Sequence, residues 1–403
     1  MESTVSPERV GLSPARLERL APALHRYVDE GKVAGLLTLV ARRGGIAHVQ
    51  CYGERDREAH QPMTEDTIFR IYSMSKPITS LAVLMLYEEG RFLLTDPVAQ
   101  YIPAFKDTPV FVRETDKGLE TEPQARPMTI LDLLRHTSGL SYPNPSPEAL
   151  PVERLMARSE ELESKSMPEP TLEQFVEWLA GFPLCWQPGT RWQYGFSVDV
   201  LGRLVEIFSG RSFDAFLQER IFGPLGMVDT GFWVPPEKVG RFAAMYGPGE
   251  QGGLKLLDPP GGEYAKPKRF LSGGGGLVST AQDYWRFAQL LLDKGIFRGE
   301  RLVSRKTVEL MTTNHLPDAV LPTFGDPGMG FGLGVCVRMS LGGAAFLGSV
   351  GEYGWSGMAS THYRADPKEQ MIELFMTQFV PTPEVSYPFH EQFRVLAQQA
   401  IDD

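Results

Sequence analysis

Strand-like runs sit at the two ends of this 403-residue chain and helical patterns fill the stretch between them, a distribution that limits the fold more than any single motif. Ser13-Pro14 puts a capping residue before a proline at the first helical position, and Leu17, Leu20, Leu24 and Val28 follow at helical spacing. Val33 to Ala41 and Ile46 to Tyr52 are β-rich runs around the turn Arg43-Gly44-Gly45, which reads as a hairpin. Thr67 to Ile71 fits a short strand, and Ile78 to Glu89 is apolar and helical up to Gly90. From about residue 96 prolines accumulate among short helix patterns at Thr129 to Arg135, Leu172 to Ala180, Val198 to Phe208 and Phe213 to Phe222. The charged stretch Glu160 to Lys165 reads as a solvated helix face. After Gly273-Gly274-Gly275-Gly276 comes a helix from Ala281 to Asp293. Strand patterns then resume at Gly332 to Arg338, Ala345 to Leu347, Met358 to Arg364 and Met371 to Phe379, and a helix holds Phe389, Phe393, Leu396 and Ala400. The expected fold is α/β in the α+β sense, an antiparallel sheet flanked by helices. Residues 1–95 and 266–403 would form a discontinuous α/β domain, with 96–265 as a mostly helical insertion.

Composition removes several function classes. The net charge of −10 argues against a nucleic-acid partner, whose phosphates demand a basic surface. No apolar run approaches the roughly 20 residues that span a bilayer, so no membrane association is expected. The first residues lack a basic patch followed by an apolar segment, so the expected location is the cytoplasm. Cys51, Cys185 and Cys336 are scattered and read as buried thiols. The seven histidines show no HExxH spacing, and neither a metal nor an organic cofactor is expected. That leaves a small-molecule substrate.

Three short segments could carry chemistry. Ser73-Met74-Ser75-Lys76 occurs where a strand gives way to an apolar helix, and S-x-x-K occurs once in the chain. Residues i and i+3 share a helical face, so the Lys76 amine can reach the Ser73 hydroxyl, and the positive helix end favours an alkoxide. A lysine serves as base only if burial lowers its pKa from about 10.4. The same pair would equally serve as an N-cap and a surface charge. The second segment is Trp192-Gln193-Tyr194-Gly195-Phe196, where Tyr194 precedes a helix and either shuttles a proton in a cleft or anchors a loop. The third is Gly354-Trp355-Ser356-Gly357-Met358, whose small residues let a substrate approach a strand edge, or merely make a turn. It lacks the second glycine of a G-x-S-x-G elbow, so Ser356 is not read as a nucleophile. Gly273 to Gly276 lacks the ending of a phosphate loop.

Taken in order and spacing, these segments resemble the serine β-lactamase and penicillin-binding-protein superfamily, in the branch of class C β-lactamases and the related family VIII-like carboxylesterases. Met128-Thr129-Ile130-Leu131-Asp132-Leu133-Leu134-Arg135-His136-Thr137-Ser138-Gly139-Leu140, Pro224-Leu225-Gly226-Met227 and Ser272-Gly273-Gly274-Gly275-Gly276-Leu277 add to the likeness, which covers nearly the whole chain. The resemblance implies a β-lactamase/transpeptidase-like fold, with Ser73 as acyl-forming nucleophile and Lys76 as base. Tyr194 stands where that family keeps a catalytic tyrosine, and the backbone N–H groups of Ser73 and Met358 would form the oxyanion hole. His136 is read as structural, because this branch uses no histidine base. Two departures bear on substrate. Phe196 replaces the asparagine that binds a substrate amide, and Trp355-Ser356-Gly357 replaces Lys-Thr-Gly. Losing that lysine removes a charge-assisted hydrogen bond to a carboxylate, about 1.5–3 kcal/mol, while tryptophan offers apolar surface to a neutral group. The expectation is a serine carboxylesterase for small, short-chain acyl esters. An acyltransferase, a β-lactamase or a D-amino-acid peptidase on the same machinery are the alternatives, and a catalytically dead binding protein is disfavoured by the presence of Ser73, Lys76 and Tyr194.

Overall fold

The computed structural model describes residues 4–163, 169–250 and 252–403. The first hairpin pairs β1 (Gly35–Arg42) with β2 (Gly45–Asp56), followed by the short β3 (Gln61–Pro62). The last third of the chain supplies β4 (Met329–Phe331), β5 (Cys336–Arg338), β6 (Tyr353–Ser356), β7 (His362–Asp366) and β8 (Met371–Met376). All eight strands join one sheet in the order β4-β5-β6-β7-β8-β1-β2-β3, every pairing antiparallel. The two ends of the chain meet where Leu37 pairs with Met376 and Leu39 with Leu374.

Every residue of β1 is buried, because helices cover both faces of the sheet. Leu37, Leu39 and Ala41 point with Ile372, Leu374 and Met376 into the larger core. That core contains the helices α2 (Ser75–Glu88) and α6 (Ala281–Leu292). Leu36 and Val40 point with Phe375 to the other side, against α1 (Leu20–Asp29) and α7 (Phe389–Gln398). The larger core runs on into the middle of the chain through α3 (Ile130–Leu134), α4 (Leu172–Ala180) and α5 (Ser197–Ser209). Thr129 and Thr171 each close a capping box on α3 and α4, which fixes where those helices start.

Some elements differ from expectation. Ala345 to Leu347 forms bends, and the strand expected at Met358 to Arg364 begins at His362, with Met358 in the turn before it. The middle segment also holds two hairpins, Val110–Thr115 with Gly118–Glu122 and Met245–Pro248 with Leu254–Asp258. Their turns contain Lys117-Gly118 and Gly252-Gly253, with glycines at positive φ. The helix expected through Phe222 is regular only to Leu217 and then widens. Of the stretch Glu160 to Lys165, the helix continues to Glu163, Glu160 is exposed, and Ser164 and Lys165 lie outside the described residues. Cys185 and Cys336 are buried and Cys51 half-buried, all three as free thiols. Among the described residues no helix is long and apolar enough to cross a membrane.

Candidate active site

Phe69–Arg70 pairs with Val278–Ser279, and this short ladder ends at the helical turn Tyr72–Met74 that feeds α2. Tyr72 adopts φ +42°, a left-handed conformation that costs a bulky residue about 1–3 kcal/mol and recurs at functional sites. Ser73 therefore sits on a sharp turn just before the helix. Twelve of the fourteen residues of α2 are buried, Lys76 among them with no exposed surface.

The Ser73 hydroxyl has two partners. Tyr194 Oη lies 2.7 Å from Ser73 Oγ, and Lys76 Nζ donates to the same oxygen at 3.1 Å. Lys76 also donates to the Gly274 carbonyl at 2.7 Å and to Tyr142 Oη at 3.1 Å, and its Nζ stands 4.5 Å from the Tyr194 ring centre. Burying an ammonium costs several kcal/mol unless it is fully solvated by protein groups, and three acceptors supply that here. Trp355 Nε1 points to Tyr194 Oη at 3.3 Å, and the Tyr142 and Tyr194 rings pack edge-on. The structure thus brings Ser73, Lys76, Tyr194 and Trp355 together from three separate parts of the sequence.

The base role expected for Lys76 required burial to lower its pKa. Burial does push the Lys76 value down, but Tyr194, Tyr142 and Asp199 outweigh it and carry it above that of an ordinary lysine. Lys76 is dry and yet remains an ammonium at neutral pH. The lowered value that burial alone would give is reversed by these neighbours.

The third segment lies across the cleft. Trp355 and Ser356 are on β6, and Ser356 Oγ bonds His362 Nδ1 at 2.8 Å. Gly357 N–H donates to the Thr361 carbonyl at 2.7 Å, which closes the turn into β7. A Cβ on Gly357 would lie 2.4 Å from the Ile71 carbonyl and 2.3 Å from Thr361 Oγ1, so glycine is what lets this turn dock on the segment leading to Ser73. Met358 follows in the turn, its side chain 54% exposed at the mouth of the cleft. Phe196 is half-buried at the start of α5, edge-on to Tyr142 at 4.6 Å and to Phe175 at 4.9 Å.

Ser73, Tyr142, Tyr194, Phe196, Trp355 and Met358 line one cavity of about 1060 Å³ that also reaches Tyr264, Phe270 and Arg364. Tyr142 and the Gly274 carbonyl are contacts that sequence reasoning missed. Tyr142 follows the His136-to-Leu140 motif by two residues and opens a stretch that carries Pro143, Pro145 and Pro147. Gly274 is held by Asp199, which accepts from its N–H at 3.1 Å and from Ser272 Oγ at 2.5 Å. Asp199 is buried and its carboxyl is raised above the usual range by that burial. His136 is fully buried, 5.0 Å from the Tyr194 ring, and burial together with Lys76 drives its pKa well below normal. It packs there as a neutral ring.

An antiparallel sheet closed by both chain ends, with a serine turn and a buried lysine one turn later, defines the serine β-lactamase fold. The Beta-lactamase family profile matches residues 20–396, and the chain belongs to that family as a serine hydrolase. Protein Rv1367c of Mycobacterium tuberculosis is 36% identical over 369 residues, covering 89% of each chain. Esterase EstB of Burkholderia gladioli is 34% identical over 301 residues, 70% of this chain and 72% of EstB. The solved structure of "EstCE1, a hydrolase with promiscuous acyltransferase activity" superposes with a TM-score of 0.79 at 25% identity, over 95% of this chain and 97% of that one.

Proposed function

We propose that this chain is a carboxylesterase for small, short-chain acyl esters, with Ser73 as nucleophile. The observation that carries the reading is the pair of contacts on one oxygen, Tyr194 Oη at 2.7 Å and Lys76 Nζ at 3.1 Å. In the proposed reaction Tyr194 Oη accepts the Ser73 proton while Oγ attacks the ester carbonyl. Lys76 stays an ammonium and offsets negative charge on whichever oxygen bears it. The tetrahedral oxyanion rests on the N–H groups of Ser73 and Met358. Tyr194 then returns its proton to the departing alkoxide, an acyl ester remains on Ser73, and water cleaves it by the same proton path. Trp355 stands where a β-lactamase keeps its lysine, so the face beside Tyr194 favours an ester over a β-lactam carboxylate.

The test is a series of p-nitrophenyl esters of increasing acyl length on wild type and Ser73→Ala. Wild type should favour short chains, and Ser73→Ala should lose about 10⁴-fold or more in kcat. Hydrolysis that survives in Ser73→Ala would remove the reading. A second reading is acyl transfer to an alcohol, favoured by a cavity at the upper end of the usual range for ligand sites. Partition of the acyl group between water and added alcohols separates the two.

A further inference from the structure

A second cavity of about 380 Å³ lies beside the catalytic one, and the two share Asp326, Ser356 and Arg364 as walls. Its lining differs in kind, being rich in cations and histidines: Arg364, Arg394, His362 and His390. Arg364 pairs across the sheet with Gly354, one residue before Trp355. A Cβ on Gly354 would fall 2.8 Å from Arg364 Cδ, so the glycine makes room for the arginine stem beneath β6.

The Nε and Nη1 atoms of Arg364 are fully buried and have no hydrogen-bond partner. The neighbouring acids leave these two donors unpaired, although Glu352 Oε2 is itself buried without a hydrogen-bond partner. Glu352 Oε1 receives Arg338 Nε at 3.0 Å and Arg394 Nη2 at 2.6 Å, and Glu373 meets Arg394 at 3.3 Å. Asp326 and Glu391 are exposed on the rims, and the Cys336 thiol beside Arg364 is a weak acceptor at best. His362 Nε2 is likewise buried and unpartnered. A guanidinium left with bare donors in a cavity costs free energy unless something fills its fork, and a carboxylate fits that fork in two-point fashion.

We propose that the ester substrate carries a carboxylate and that Arg364, in the wall joining the two cavities, binds it. This rests on the esterase reading and narrows it. The group beside Trp355 stays neutral, and the acid is received one strand further along. Arg364 is thus a specificity-determining residue for the reaction at Ser73.

The test compares matched esters on wild type, Arg364→Gln and Arg364→Lys, with thermal melts to verify folding. One arm puts the acid on the acyl side, 4-nitrophenyl hydrogen adipate against 4-nitrophenyl hexanoate. The other puts it on the alcohol side, 3-acetoxybenzoate against 3-acetoxybenzamide. Wild type should prefer the acid about tenfold or more in kcat/KM in one arm, which also tells the side. Arg364→Gln should bring the acid-to-neutral ratio of kcat/KM down toward one, and Arg364→Lys should keep part of the preference. No preference in either arm, or one that survives in Arg364→Gln, overturns the proposal while leaving the esterase reading intact. If no ester is turned over at all, that reading fails separately, and calorimetric titration with adipate still decides the site. Binding weakened about tenfold in Arg364→Gln supports it, and absence of binding to wild type overturns it.

Discussion

Tyr142 meets Lys76 through a single hydroxyl, which makes its role separable from its packing. Burial pushes the Tyr142 pKa up to about 12, so at neutral pH it is a phenol whose oxygen accepts from the ammonium. Tyr142→Phe keeps the ring against Tyr194 and Phe196 and removes one of three acceptors around a buried charge. A lost partner for a buried ammonium is worth about 1.5–3 kcal/mol, so kcat/KM on p-nitrophenyl acetate should fall about tenfold or more. Unchanged activity would mean that Tyr142 only packs. Ser73 and Lys76 were legible together because i and i+3 contacts are local. Tyr194 stood as either a proton shuttle or a loop anchor until the family likeness favoured the first, and the structure places its Oη 2.7 Å from the hydroxyl. Tyr142, the Gly274 carbonyl and Arg364 were not legible, since a backbone acceptor leaves no mark in residue identity and the other two act through contacts made only on folding. The direction of the Lys76 shift was missed for a related reason: burial can be guessed from an apolar helix, whereas Tyr142, Tyr194 and Asp199, which reverse its effect, lie 66 to 123 residues away.

At the scale of elements, the site depends on how closely the turn between β6 and β7 approaches the turn before α2. Gly357→Ala forces its new methyl group onto the Ile71 carbonyl at 2.4 Å, and backbone cannot swing aside as a side chain would. Displacing the Ser73 segment by about 1 Å is enough for a loss of about 10²-fold in kcat/KM, measurable on any ester that wild type accepts. A second element contact carries a pH signature. Glu373 on β8 meets Arg394 and Gln398 on α7. Burial pushes its carboxyl up to about 7, against the downward pull of Arg394. Between its unfolded value near 4.5 and about 7 the native group holds a proton that the unfolded chain releases. Its contribution therefore favours folding at the acid end of that window and fades as pH rises through it. Glu373→Gln removes that dependence, so its melting temperature at pH 7.5 relative to pH 5 should rise by a few degrees compared with wild type. The strands of the first hairpin were readable because their runs are long and apolar. The Met358 strand was misplaced because a tight Gly-Met-Ala-Ser turn with an exposed methionine looks, by composition, like the start of a β-run.

For the whole molecule the question is whether the sheet and the middle segment unfold together. Residues 37 and 376 pair in adjacent strands, so the sheet cannot close until the whole intervening chain has been threaded back. One core cluster runs without interruption from Leu39 and Leu374 on the sheet, through Ile78 and Leu84 on α2, to Val200 and Leu204 on α5. The chain ends are locked in as well: Ser13 N–H donates to the Ala400 carbonyl at 2.8 Å, and Arg42, 3% exposed, reaches Asp403 at 2.6 Å. Elements that share a core lose their burial together, and each fully buried leucine or isoleucine forfeits about 1.5–3 kcal/mol. We therefore expect one cooperative transition in denaturant, with tryptophan fluorescence and far-ultraviolet circular dichroism superimposing. Fluorescence reports chiefly on the middle segment, where Trp178, Trp186, Trp192 and Trp233 lie, and Trp285 and Trp355 add the sheet side. Two resolved midpoints would show that residues 96–265 hold together without the sheet, and Lys76, which takes its acceptors from both parts, would then be the first group to lose its surroundings.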